Sequence, residues 1–247
     1  VPFVDATTTQ RGIGVVAPFD FALDRELWRW VPDDVSLYLT RMPHFTAPVT
    51  VEMAYSLSEP ATVRRATRDV LTPEPDVVAY ACASGSFVNG LLGERLLVRT
   101  MLDIGAPAAC TTSGALVDAL ALLGVRSLAI ATPYIEAVTT RLVSYLAENG
   151  VETVASSGLG LLGHIWRVPY QAVVDIVRAV DTPEAEAMYV SCTNLPTYDI
   201  IAPLEQALGK PVLTANQVTM WAALRAMGRS SVGVGQSLSG AGCRSAA

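Results

Sequence analysis

The chain has 247 residues, a formal charge of −6 and 51% hydrophobic side chains, which suits one large α/β unit or two small lobes around a substantial core. No apolar run approaches the ~20 residues of a membrane span, and the first residues carry no basic stretch leading into an apolar one, so a soluble, cytoplasmic protein is expected. Lys and Arg form no cluster, which excludes nucleic acid and an anionic membrane surface as partners and leaves a small molecule.

In chain order, short β-branched runs alternate with amphipathic stretches, the pattern of parallel sheets covered by helices. The predicted strands are "IGVVAP" (13–18), "VSLYLTR" (35–41), "VVAYAC" (77–82), "PAAC" (107–110), "SLAIAT" (127–132), "VETVAS" (151–156), "AMYVSC" (187–192) and "PVLTA" (211–215). Helices are expected in most intervals, including 61–71, 134–150 and 195–209, with Pro196 opening the last and Gly150 and Gly209 at C-terminal cap positions. Trp28 and Trp30 are expected to pack on the sheet. The small, polar stretch from Gly228 carries little periodicity, so its end is expected to be mobile and no chemistry is placed there.

A weak internal repeat organises these elements. "GAPAACTTSGALVDAL" from Gly105 and "GKPVLTANQVTMWAAL" from Gly209 share Gly-x-Pro, a short strand, a polar turn and a helix ending Ala-Leu, and each follows a strand that ends in cysteine. The expected α/β architecture is two pseudo-symmetric Rossmann-like lobes, residues 1–115 with 216–247 and residues 116–215, around a shared cleft. Ligands of parallel sheets collect beyond the carboxyl ends of strands, where helix N-termini offer N–H groups. Cys82 and Cys192 occupy such ends and are followed by turn formers, "ASGS" and "TNLP". The four cysteines form no C-x-x-C pair, which leaves no framework of disulfides or zinc ligands. Cys110, within an anion-binding turn, and Cys243, in the tail, are assigned packing roles only.

Two further signals are set aside. "GLGLLG" (158–163) satisfies G-x-G-x-x-G, but it lies late in the chain and no strong helix follows, so a flap over the site with His164 at its edge is expected instead of a dinucleotide site. His44 and His164 are the only histidines and are far apart in sequence, which gives no support for a metal pair or a Ser-His-Asp relay.

The segments "GVVAPFD", "AYACASGSF", "CTTSGALVDAL", "ATPY" and, most specifically, "SCTNLPTYDIIAPLEQALGKPVLTANQ" carry a resemblance covering almost the entire chain. The chain resembles the aspartate/glutamate racemase superfamily, in the branch of maleate cis-trans isomerases and arylmalonate decarboxylases; the head "APFDFALDRELWRWVPDD" is also similar to proteins of ectoine utilisation. The resemblance implies a cofactor-independent, metal-free site between two lobes, with Cys82 and Cys192 as the reacting pair acting on a small carboxylate substrate. In a maleate-type reaction Cys82 would add to the alkene and Cys192 would supply and recover the proton; in a racemase the pair would exchange a proton at opposite faces of one carbon. The decarboxylase branch keeps a thiol matching Cys192 and lacks one at Cys82, which aligns this sequence with the two-thiol members. An arylmalonate-type decarboxylase using Cys192 and a non-catalytic small-ligand binder are the alternatives.

Helix N-termini are expected to draw one thiol toward neutral pKa. The remaining candidates for binding carboxylates are Ser84 and Ser86, then Thr111, Thr112 and Ser113, then Thr193 and Asn194, and Asn216. Tyr134 matches a tyrosine that reaches the substrate carboxylate in related isomerases. Asp20 departs from the family pattern, standing near a position where maleate isomerases carry asparagine. Its charge would repel a carboxylate and favour a cationic or amide group at that end. A homo-oligomer, dimer or tetramer, is the expected assembly.

Overall fold

The computed structural model describes residues 11–241. Among the described residues, eight strands form two four-stranded parallel sheets of identical topology. The first contains β1 (Arg11–Ala17), β2 (Val35–Arg41), β3 (Val77–Tyr80) and β4 (Ala109–Thr111), in the order β2-β1-β3-β4. The second contains β5 (Ser127–Thr132), β6 (Glu152–Gly158), β7 (Ala187–Val190) and β8 (Val212–Thr214), in the order β6-β5-β7-β8. All eight strands predicted from hydrophobic patterning are present, with boundaries shifted by a few residues.

Burial follows position in the sheet. The central strands β3 and β7 are buried along their whole length, as their unbroken apolar runs require, whereas β6, an edge strand, is mostly exposed or half-buried. The order places β1 and β3 side by side with Ile13 opposite Val77, and β5 and β7 likewise with Leu128 opposite Ala187. In a parallel sheet this brings the carboxyl ends of neighbouring strands to one edge, so Ala81 N–H donates to Val16 O and Ser191 N–H donates to Ala131 O.

The helices are α1 (Asp24–Leu27), α2 (Val51–Leu57), α3 (Pro60–Leu71), α4 (Ala83–Phe87), α5 (Gly90–Asp103), α6 (Thr112–Leu123), α7 (Glu136–Glu148), α8 (Tyr170–Val180), α9 (Tyr198–Leu208), α10 (Ala215–Ala226) and α11 (Ser237–Ala241). The repeated segments become β4-α6 and β8-α10. Thr111 caps α6 by accepting from Gly114 N–H at 3.0 Å, and Thr214 caps α10 in a capping box with Gln217. Such caps each contribute about 1 kcal/mol. Helices α6 and α10 pack against each other, and the Thr112 and Thr219 hydroxyls meet at 2.8 Å between them. Gly209 ends α9 in the left-handed region that glycine adopts without a Cβ clash.

Two local expectations change. Helix α9 begins at Tyr198, two residues beyond Pro196, because the preceding turn is held by hydrogen bonds to other elements. Trp30 is fully buried with its indole donating to Gln236 Oε1 at 2.8 Å, but Trp28 is 47% exposed, since it starts a 3-10 turn whose buried residue is Trp30 alone. Gly158 ends β6, and the chain beyond it runs irregularly to a short 3-10 turn at Ile165–Arg167, without the helix that a dinucleotide fingerprint needs. Cys243 lies outside the described residues. Among the described residues, no helix is long and apolar enough to cross a membrane.

Candidate functional site

Four strand ends converge on one small cavity. After β1 come Pro18 and Asp20; after β3, Cys82, Ala83 and Ser84; after β5, Tyr134; after β7, Cys192, Thr193 and Asn194. A roof of Val49, Met53 and Leu57 from α2 and its approach, together with Ile165, completes the lining. The cavity measures about 30 Å³, room for one or two waters. Larger depressions of about 530 Å³ at Cys110, Asp118 and Arg225 and of about 460 Å³ at Glu136, Thr139 and Ser156, the latter sharing Tyr134 with this cavity, contain neither Cys82 nor Cys192.

Cys82 occupies the N-cap position of α4 in extended conformation, and Ser84 Oγ lies 3.9 Å from its sulfur. The Gly85 N–H and the Tyr80 hydroxyl are its other neighbours. Cys192 has φ of 91°, a region that costs a non-glycine residue about 1–3 kcal/mol and is retained only where the surroundings enforce it. Its sulfur accepts from Asn194 N–H at 3.4 Å and from the Tyr134 hydroxyl. The sulfurs thus face one space from two sheets, and each is paired with a tyrosine.

The strain at Cys192 is held by an anchored turn. Thr193 Oγ1 donates to Ala81 O at 3.1 Å, while Asn216 Nδ2 donates to Thr193 O at 2.9 Å. Asn194 accepts from Ala22 N–H and donates to Asp20 O, both at 3.0 Å. Buried Glu26 accepts from Thr197 N–H and Oγ1 and from Asn216 Nδ2 at 3.0–3.1 Å. Burial raises the Glu26 carboxyl above the ordinary range, against these donors.

Electrostatics correct the expectation of a thiolate. Burial pushes Cys82 up to about 11 and Cys192 up to about 12, outweighing the Gly85 N–H and Ser84 donors at Cys82 and the Tyr134 and Asn194 donors at Cys192. Nearby Asp20 raises both thiols further. Helix N-termini lower a thiol pKa only when desolvation does not dominate, and α4 has only five residues. Asp20 is itself raised, chiefly by burial. Among the described residues, no Lys or Arg lines the cavity.

Of the binding candidates, Asp20, Ser84, Tyr134, Thr193 and Asn194 line this space with the two cysteines. Ser86, Thr111, Thr112, Ser113 and Asn216 do not. The Ser86 hydroxyl lies 2.6 Å from that of Ser113, Thr111 caps α6 and donates to Glu94, and Thr112 meets Thr219, so these hydroxyls knit α4, α6 and α10 behind the site. The apolar roof went unnoticed in the sequence because α2 carries no polar motif. Glu26 lies among the charged residues of "DRELWRW", where nothing marks it as buried. The loop after Gly158 does reach the site through Ile165, and Leu162 O accepts from Val49 N–H at 2.9 Å.

The arylmalonate decarboxylase family model matches residues 59–238. The chain is 34% identical over 156 residues to an arylmalonate decarboxylase of Bordetella bronchiseptica, covering 62% of this chain and 65% of that protein. It is 28% identical over 160 residues to a maleate isomerase of Geobacillus stearothermophilus, covering 62% and 64%. The matches therefore span just under two thirds of the length of these relatives. A solved structure of a variant of the maleate isomerase Iso from Pseudomonas putida S16, with maleate, shares the fold at a TM-score of 0.86 and 21% identity, over 93% of this chain and 97% of that one. With eight strands in two matching sheets and a family model spanning most of its length, the chain belongs to the arylmalonate decarboxylase family.

Proposed function

We propose that the protein is a cofactor-independent isomerase of a small carboxylic acid, in which Cys82 and Cys192 form the reacting pair. The observation that carries this reading is that both sulfurs line a single cavity from two sheets of like topology. With residues 1–115 and 216–247 taken as one lobe and 116–215 as the other, each lobe supplies one thiol and one tyrosine. Relatives named maleate isomerase support the reaction class.

In the maleate-type form of the reaction, the Cys82 thiolate adds to one alkene carbon while Cys192 S–H protonates the other. The new single bond rotates, the proton returns to Cys192, and the carbon–sulfur bond breaks to release the trans acid. In the racemase form, one sulfur removes a proton from carbon and the other returns it to the opposite face. Ser84 and Tyr134 offer hydroxyls to a substrate carboxylate, and Asp20 selects against a second carboxylate at its end of the cavity. Thr193 and Asn194 hold the turn that aims Cys192.

A decarboxylase reading is favoured by the family match and the 34% identical relative. In that reaction a carboxylate leaves as carbon dioxide and Cys192 protonates the resulting carbanion. Single substitutions separate the two. Cys82→Ala and Cys192→Ala are assayed for isomerisation, deuterium exchange at the α-carbon and decarboxylation over a panel of small acids. The isomerase reading expects both substitutions to abolish turnover. Activity that survives Cys82→Ala and fails in Cys192→Ala establishes the decarboxylase.

A further inference from the structure

Tyr80 is the last residue of β3, fully buried, and its hydroxyl lies behind the Cys82 sulfur. A Cβ placed on Gly85 would collide with that hydroxyl and lie 3.2 Å from Cys82 Sγ, so the oxygen and the sulfur flank one point. The same hydroxyl donates to Leu57 O at 2.9 Å. A phenol has one proton. Leu57 O and the Cys82 sulfur compete for it, so the support that Tyr80 gives S⁻ is weakened while Leu57 O holds the proton, an arrangement that suits S–H.

Leu57 ends α2 and, with Met53, forms the roof of the cavity. A cavity of about 30 Å³ admits water but not a small carboxylic acid, so a substrate of the class proposed above displaces this roof. Displacement separates Leu57 O from Tyr80 and releases the phenolic proton. We propose that Tyr80 switches Cys82 between a resting thiol and a reactive thiolate: its proton is held by Leu57 O while α2 covers the cavity and turns to the Cys82 sulfur when α2 lifts. The thiol proton passes to the water admitted by the same movement, and the phenolic O–H becomes a donor to S⁻ beside the Gly85 N–H and Ser84. The other groups facing Cys82 are Asp20 from the turn after β1, Cys192 from the turn after β7 and Tyr134 from the turn after β5.

This role rests on the proposed reaction for its purpose, but its test needs no substrate. Cys82 and Cys192 are alkylated with iodoacetamide across pH, and the midpoint of each rate profile is read by peptide mass spectrometry. Loss of roof cover lowers desolvation at both thiols and moves both midpoints together, so Cys192 is an internal control and a shift of Cys82 relative to it reads Tyr80. Tyr80→Phe is expected to move the Cys82 midpoint up by about one pH unit, a tenfold loss of thiolate below it, and to leave Cys192 in place. Replacing Tyr80 by 3-fluorotyrosine, whose hydroxyl is a stronger donor, is expected to move the same midpoint down; this variant keeps ring and hydroxyl and decides the matter even if the phenylalanine variant does not fold. With a turned-over acid in hand, Tyr80→Phe lowers kcat roughly tenfold with little change in KM. A Cys82 midpoint unmoved by either change, or moved the same way by both, overturns the proposal. Opposite shifts in a protein whose activity ignores Cys82 would instead retain the Tyr80 switch and refute the isomerase reading.

Discussion

The side-chain amide of Asn194 donates to the backbone carbonyl of Asp20 at 3.0 Å, and its oxygen accepts from Ala22 N–H at the same distance. The turn behind Cys192 is thereby fastened to the turn after β1 through the backbone of residues 20–22, and Asn194 also supports the Asp20 carboxylate where it borders the cavity.

Asp20→Asn tests that charge while keeping the main-chain bond from Asn194 to Asp20 O; the Asn194 contact with the carboxylate passes to an amide of the same shape. Removal of the carboxylate is expected to tighten binding of maleate-type dicarboxylates by roughly tenfold and to weaken analogues bearing an amino group. Both thiols are expected to alkylate faster at neutral pH, since Asp20 raises both. Calorimetric titration and thiol labelling measure the two effects; unchanged dicarboxylate binding and labelling remove Asp20 from substrate choice.

Glu26→Gln addresses the buried carboxylate under the same turn. Both Glu26 oxygens face donors, from Thr197 and Asn216, and glutamine offers only one acceptor oxygen. One amide N–H₂ must then meet a donor, and a loss of about 1–3 kcal/mol in urea unfolding is expected. The strained φ of Cys192 loses part of its support, so turnover falls as well.

The raised thiols make stability depend on alkaline pH. In the unfolded chain cysteines ionise near ~8.5, whereas folding holds Cys82 up to about 11 and Cys192 up to about 12. A group raised by folding contributes its full stability below the unfolded value and loses it as pH climbs toward the folded one. Chemical denaturation is therefore expected to show falling stability above pH ~8.5, and the slope to flatten in the Cys82→Ala, Cys192→Ala double variant. An identical slope in wild type and double variant would show that these thiols are not so held.

Gly85→Ala should disable the first thiol directly. The added methyl meets the Tyr80 hydroxyl and crowds Cys82 Sγ. Loss of Cys82 labelling with Cys192 labelling retained is expected, along with a cost of about 1–3 kcal/mol from overpacking a closed site. Wild-type labelling in a stable variant would show that Tyr80 and Cys82 are not packed as described.

The strands were legible because parallel, fully covered sheets need unbroken apolar runs, and "VVAY" and "AMYV" supply them at the two central positions. The repeat was legible because β4-α6 and β8-α10 share the same turn chemistry, a threonine cap before each helix. Side-chain direction was less legible. Thr111, Thr112, Ser113 and Asn216 have the residue types of an anion-binding turn, yet their partners are Glu94, Thr219, Ser86 and Glu26, contacts set by how α4, α6 and α10 meet. The roof was hidden because Val49, Met53 and Leu57 are ordinary core residues in any sequence, and Tyr80 because a tyrosine in a buried strand reads as packing. The thiol pKa values follow from desolvation, which the closeness of the roof sets and no motif records.

The central claim, that Cys82 and Cys192 act as a pair on one small acid, is tested most directly by intact-protein and peptide mass spectrometry after incubation with a panel of unsaturated and amino diacids. The Cys192→Ser variant, in which water protonates the carbanion left by Cys82 addition and no thiolate removes that proton again, is expected to accumulate a thioether adduct on Cys82 with an unsaturated acid of the panel. The Cys82→Ala variant is expected to form none and to turn over nothing. Turnover by Cys82→Ala at the wild-type rate, with no adduct on Cys82 in any variant, would contradict the paired mechanism.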